Sequence, residues 1–89
     1  MKDIKQINFN EMKGHLTLDR TKEEVQEIAE IFRKKLKLTK YQLYIDTAKN
    51  IHFNTKNMSV DIIERANNKF VFVKENAFGK REFSYYEVV

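Results

Sequence analysis

Between Lys22 and Lys37 the apolar residues Val25, Ile28, Ala29, Phe32 and Leu36 recur at spacings of three and four, which puts them on one stripe of an amphipathic helix. Thr21 followed three residues later by Glu24 forms a capping box, in which each side chain takes up a backbone N–H at the helix start. Acids fill the first half of this helix and bases the second, with Glu30 spaced to pair with Lys34. An apolar stripe of this kind faces a core, so the helix needs another layer to cover it.

Elsewhere the period is two. Val60 to Arg65 and Lys69 to Lys74 flank Ala66-Asn67-Asn68, and asparagine tolerates the positive φ of a tight hairpin turn. Arg81 to Val89 alternates again after the loop Glu75 to Lys80, where Gly79 is the flexible point. A C-terminal three-stranded meander follows. Tyr41, Leu43 and Ile45 face one way and Ile51 and Phe53 return, with Asp46 to Asn50 as the turn, so a second hairpin is predicted. Thr39 and Gln42 stand at capping-box spacing and leave a short helix over about 40–48 as its competitor. Near the start, Ile7 to Asn10 and His15 to Asp19 alternate around Gly14 and predict a small hairpin.

The expected fold is therefore α+β, with one helix over about 22–37 packed on an antiparallel sheet, in a single domain spanning residues 1–89. The alternative is a winged variant of the helix-turn-helix, with its wing at 76–80. There Leu38 to Leu43 resembles the opening of the first helix, and Ser59 to Asn67 would be the helix that reads DNA. That helix would bring Asp61 and Glu64 towards phosphate.

Six of the chain's aromatic residues, seven Phe and four Tyr in all, fall between Ser59 and Val89. On a strand, Phe70 and Phe72 share one face with Val71 and Val73 on the other, and Phe83 and Tyr85 oppose Ser84 and Tyr86. Both faces of the sheet are then apolar, while one helix covers one face. Phe70, Phe72, Phe83, Tyr85 and Tyr86 are accordingly candidate partner-binding residues, for a protein or a second copy of the chain.

The formal net charge of +4 is local in origin, because residues 33–40 hold five cations and no acid while the rest sums to −1. Helix dipoles favour cations at a C-terminus, and a local basic patch also suits a phosphate backbone. Aromatics interleaved with bases suit single-stranded nucleic acid. Arg33, Lys34, Lys35, Lys37 and Lys40, with Phe78, Lys80 and Arg81 at the loop, are the candidate nucleic-acid-binding residues.

Other chemistries find little footing. The chain has no cysteine, so no disulfide or thiolate metal site, and glycine only at 14 and 79, so no phosphate-binding loop. His15 and His52 lack ligand partners at suitable spacing. Glu23 and Glu27 share the solvent face of the helix, and Asp61 and Glu64 would lie on opposite faces of a strand. No enzyme activity, metal, cofactor or small-molecule substrate is expected. No stretch reaches the ~20 apolar residues of a membrane span, and the charged Met1 to Gln6 do not open a signal peptide, so a cytoplasmic protein is expected. The functional expectation is non-catalytic nucleic-acid binding. The alternative is a protein-binding inhibitor or adaptor, phage- or plasmid-encoded, in keeping with a Lys/Asn/Ile-rich composition.

Overall fold

A computed structural model describes residues 2–16 and 20–89. Six strands form one sheet in the order β1-β6-β5-β4-β3-β2 with every neighbour antiparallel: β1 (Ile4–Ile7), β2 (Gln42–Ile45), β3 (Ile51–Asn54), β4 (Met58–Ala66), β5 (Lys69–Asn76) and β6 (Arg81–Val88). The helix α1 (Lys22–Leu36) lies on one face. The α+β expectation holds, and the predicted meander is extended at one end by the 42–54 hairpin. Where the winged alternative requires helices, the chain forms β2 and β4.

The helix begins as its sequence dictates. Thr21 Oγ1 accepts the Glu24 N–H at 3.1 Å and Glu24 Oε1 accepts the Thr21 N–H at 3.3 Å. It ends at Lys37, whose left-handed φ of 56° lets its N–H reach back to the carbonyls of the last turn. Glu30 pairs with Arg33, at 2.6 and 2.9 Å, instead of with Lys34, since a guanidinium engages both carboxylate oxygens at once.

Val25, Ile28, Ala29 and Phe32 are buried from the helix side against Ile51, Phe53, Val60, Ile62, Phe70 and Phe72 of the sheet. Phe32 sits at the centre, fully buried, edge-on to Phe70 and Tyr86 with centroids 5.7 Å apart and stacked on Phe72 at 6.4 Å. The β4–β5 turn is Asn67-Asn68, with Asn68 at φ 62°. A bulge between Glu64 and Ala66 precedes it.

The N-terminal segment departs from expectation. Ile4 to Ile7 pairs with Val88 to Tyr85 of β6, and Phe9 to Glu11 forms a 3-10 turn. β6 offers Ile4 to Ile7 the edge of an existing sheet, closed by the reciprocal Asp3 and Val89 backbone bonds, whereas a separate two-stranded hairpin with short arms is marginal in water. Gly14, at φ 133°, carries the chain past Ala66, and the His15 carbonyl accepts the Asn67 N–H at 2.9 Å. The rest of the predicted second arm, residues 17–19, lies outside the described residues. Among the described residues no helix is long and apolar enough to cross a membrane.

Candidate nucleic-acid interface

Cross-strand register brings three connections to one end of the sheet. Gln42 pairs with Asn54, Asn54 with Ser59, Met58 with Asn76 and Glu75 with Arg81. The segment between α1 and β2, the β3–β4 turn and the β5–β6 turn therefore meet there. They contribute Lys37 and Lys40, then Lys56, then Phe78 and Lys80. Lys40 and Lys56 border a shallow cleft with Tyr41, Gln42, Asn54 and Thr55, a set of cations and neutral hydrogen-bonding groups with no carboxylate. Along the β2-to-β6 direction, Lys40 and the β5–β6 turn stand about three strand spacings apart, roughly 14 Å.

The β5–β6 turn is rigidly built. Asn76 Oδ1 accepts the N–H groups of Phe78 and Lys80 at 2.9 and 3.0 Å, and the Asn76 carbonyl accepts from Gly79 at 3.0 Å. Phe78 is 96% exposed on this frame.

Charge pairing divides the other candidates. Among the described residues Lys34, Lys37, Lys40, Lys56 and Lys80 have no carboxylate within salt-bridge distance. Arg33 is held by Glu30 and donates to the Leu38 carbonyl at 3.2 Å. It therefore serves the helix end, which the sequence could not distinguish from a phosphate contact. Lys35 turns to the opposite edge, 3.6 Å from Asp3 beside β1. Arg81 meets Glu75 at 2.9 Å. The sequence-level set thus contracts to Lys34, Lys37, Lys40, Lys80 and Phe78 and gains Lys56, with Gln42 and Asn54 beside it. Lys56 escaped notice because it is a lone cation in a turn.

The aromatic candidates divide by face. Phe70 and Phe72 are buried beneath α1, and Tyr86 is half-buried in the same cluster. These three are core residues, placed there because the helix covers the face they share. Phe83, 57% exposed, and Tyr85 lie on the opposite, open face. They are joined there by Phe9, which packs on Tyr85 at 5.4 Å, and by Tyr44. The basic helix and the open aromatic face are consequently on opposite sides of the sheet.

One polar cluster on the open face was not anticipated. His52 Nδ1 is 2.7 Å from Asp61 Oδ1, its cross-strand partner, and Nε2 is 2.9 Å from Asp46 Oδ2 at the β2–β3 turn. Tyr44 lies against the ring at 5.6 Å. Burial pushes the His52 pKa down, but the two carboxylates more than offset it, so the group ends above its ordinary value. The His52 contact, with the Asn50 N–H, holds Asp46 below the usual carboxylate range.

The sign of each shift sets a pH window. The contribution of His52 is complete below its unfolded pKa of about 6.5 and fades as pH rises through the raised folded value. That of Asp46 is present above about 3.9 and fades as pH falls through its depressed value. The thermal midpoint of the native protein should therefore exceed that of His52→Gln most near about pH 5.5, with the margin shrinking towards alkaline and strongly acidic pH. A margin that stays flat from mildly acidic to alkaline pH in calorimetry would show that the trio is not charged as described.

No protein-family model matches this chain, and no curated protein or solved structure matches it.

Proposed function

We propose that this protein binds nucleic acid, without catalysis, through the basic end of its sheet. One observation carries the reading: connections far apart in sequence converge so that Lys37, Lys40, Lys56 and Lys80 line a single end, with Phe78 held out among them. The helix dipole accounts for cations near residue 36, but it does not account for Lys56 or Lys80, which belong to turns. Lys37 adds weight, because it occupies a left-handed helix terminus where glycine is the unstrained choice. The nearby acids have cationic neighbours, Glu75 bonding Arg81 and Glu82 standing across from Lys74.

Phosphate is the ligand chemistry that four lysines around neutral donors recognise when, as among the described residues, no carboxylate pairs with them. Lysine supplies point charges and no base-edge fork, so affinity is largely independent of sequence. Phe78 adds a stacking surface, which favours unpaired bases.

Four phosphate contacts predict that duplex affinity falls about 150-fold between 50 and 200 mM salt. The triple variant Lys37→Glu, Lys40→Glu, Lys56→Glu should abolish binding in an anisotropy titration. Phe78→Ala should weaken single strands roughly 5- to 150-fold and duplex far less. Absence of binding to either form at low salt, or a triple variant that binds as the native protein does, would remove the proposal.

A further inference from the structure

We infer that the open face of the sheet is the contact between two copies of this chain, packed sheet against sheet. Alternate residues of the three longest strands supply its centre: Ile63 of β4, Val71 and Val73 of β5, and Phe83 and Tyr85 of β6. Tyr44, 60% exposed, stands on β2 beyond the His52–Asp61 pair, and Phe9, 72% exposed, rests on the Tyr85 corner. The 3-10 turn and the residues just after it cover that corner, where Lys69 donates to the Glu11 and Lys13 carbonyls at 2.8 and 2.9 Å. A patch of large apolar side chains spanning several strands is more than a monomeric surface ordinarily leaves in water.

The size of the face fits a second copy. Strands β4, β5 and β6, of nine, eight and eight residues, run roughly 27 to 30 Å, and six strands are about 24 Å across. Because β1, β2 and β3 are only four residues each, the plane is roughly 600 Å², towards the low end of what each partner contributes to a stable interface. Two such faces pack about 10 Å apart as a sandwich, with their side chains interleaved.

Charge identifies the occupant. The rim is made of opposite-sign neighbours: Lys5 with Glu87, Arg81 with Glu75, and His52 with Asp61 and Asp46. A two-fold interface sets one patch against itself, so it tolerates only a patch that is not of one sign. This face meets that condition on a chain whose net charge is +4, because Lys37, Lys40, Lys56 and Lys80 lie at the sheet end, while Lys69 on the face is taken up by the Glu11 and Lys13 carbonyls. A phosphate backbone or a strongly acidic protein finds no attraction here. Edge-to-edge pairing is the poorer route to a dimer, since the free edges β1 and β2 are four residues each.

The test is the mass of the native protein by sedimentation equilibrium at high salt without nucleic acid, where phosphate binding is suppressed and cannot confuse the result. On raising the concentration through the micromolar range, the mass should climb from 10.7 kDa towards twice that value. Phe83→Lys should remain at the single-chain mass with unchanged circular dichroism. If Phe83→Lys does not fold, Phe83→Thr should dimerise at least tenfold more weakly. A native protein that stays monomeric into the millimolar range overturns the inference, and so does a folded variant that dimerises as the native chain does. Neither outcome bears on the lysine-lined end.

Discussion

Phe32→Ala should cost about 3 to 5 kcal/mol, the range for removing a large side chain from a packed core. Phe32 is wholly enclosed, and its ring is the one helix residue that touches Phe70, Phe72 and Tyr86 together. Truncation leaves a void between helix and sheet and removes three aromatic contacts, each worth about 0.5 to 1.5 kcal/mol. Backbone strands on one side and a capped helix on the other limit collapse into that void. Domains of this size sit towards the lower part of the usual 5 to 15 kcal/mol of stability, so the variant loses much of its margin. Its thermal midpoint should fall by at least about 15 °C. Phe78→Ala, an equally large deletion at a solvated tip, should change the midpoint hardly at all. A Phe32→Ala loss below about 1 kcal/mol in a urea titration would mean that the helix does not pack through this ring.

The contrast between Phe32 and Phe78 shows what local pattern can and cannot convey. A stripe at positions 25, 28, 29, 32 and 36 defines a buried helix face without reference to anything else in the chain, and Asn67-Asn68 between alternating segments defines a hairpin. Both are local facts, and both elements formed. Which face of the sheet the helix would take is not local. Phe70 and Phe72 on one side and Val71 and Val73 on the other are equally apolar, so parity offers no preference, and the core aromatics Phe70, Phe72 and Tyr86 read the same as Phe83 and Tyr85. The pairing of β1 with β6 is likewise invisible, because it joins residues some eighty positions apart.

For the candidate site the same limit applies to charge. A run of cations at 33–40 was legible, but not that Glu30 and Asp3 would engage Arg33 and Lys35. Nor could spacing show that the β3–β4 and β5–β6 turns would add Lys56 and Lys80 at the same end as Lys40. The His52 cluster was hidden for the same reason, since Asp61 reaches it across a strand pair and Asp46 across a turn.

At the opposite end of the sheet, Glu64→Ala should cost about 2 to 3 kcal/mol. Arg20 Nε and Nη2 donate to the two Glu64 oxygens at 2.8 Å, Nη2 also reaches Asn68 Oδ1 at 2.7 Å, and Glu64 Oε2 accepts the Asn68 N–H at 2.8 Å. The guanidinium stands 5.9 Å from the Phe70 centroid, and both charged side chains are about 15% exposed. Lys49 donates to the Arg20 carbonyl. Removing Glu64 therefore strands a largely desolvated cation and a turn N–H, the situation in which deleting one partner is far costlier than the pair is worth. The loss falls below the 3 to 5 kcal/mol of a fully buried pair because water reaches part of this one. Exchanging both charges for apolar groups, Arg20→Met with Glu64→Leu, should recover much of it, since no orphaned ion remains and Phe70 keeps a packed neighbour. Chemical denaturation of the single and double variants separates the two accounts. If the double variant is as unstable as the sum of its singles, Arg20 and Glu64 are not coupled, and the cost does not come from an abandoned charge.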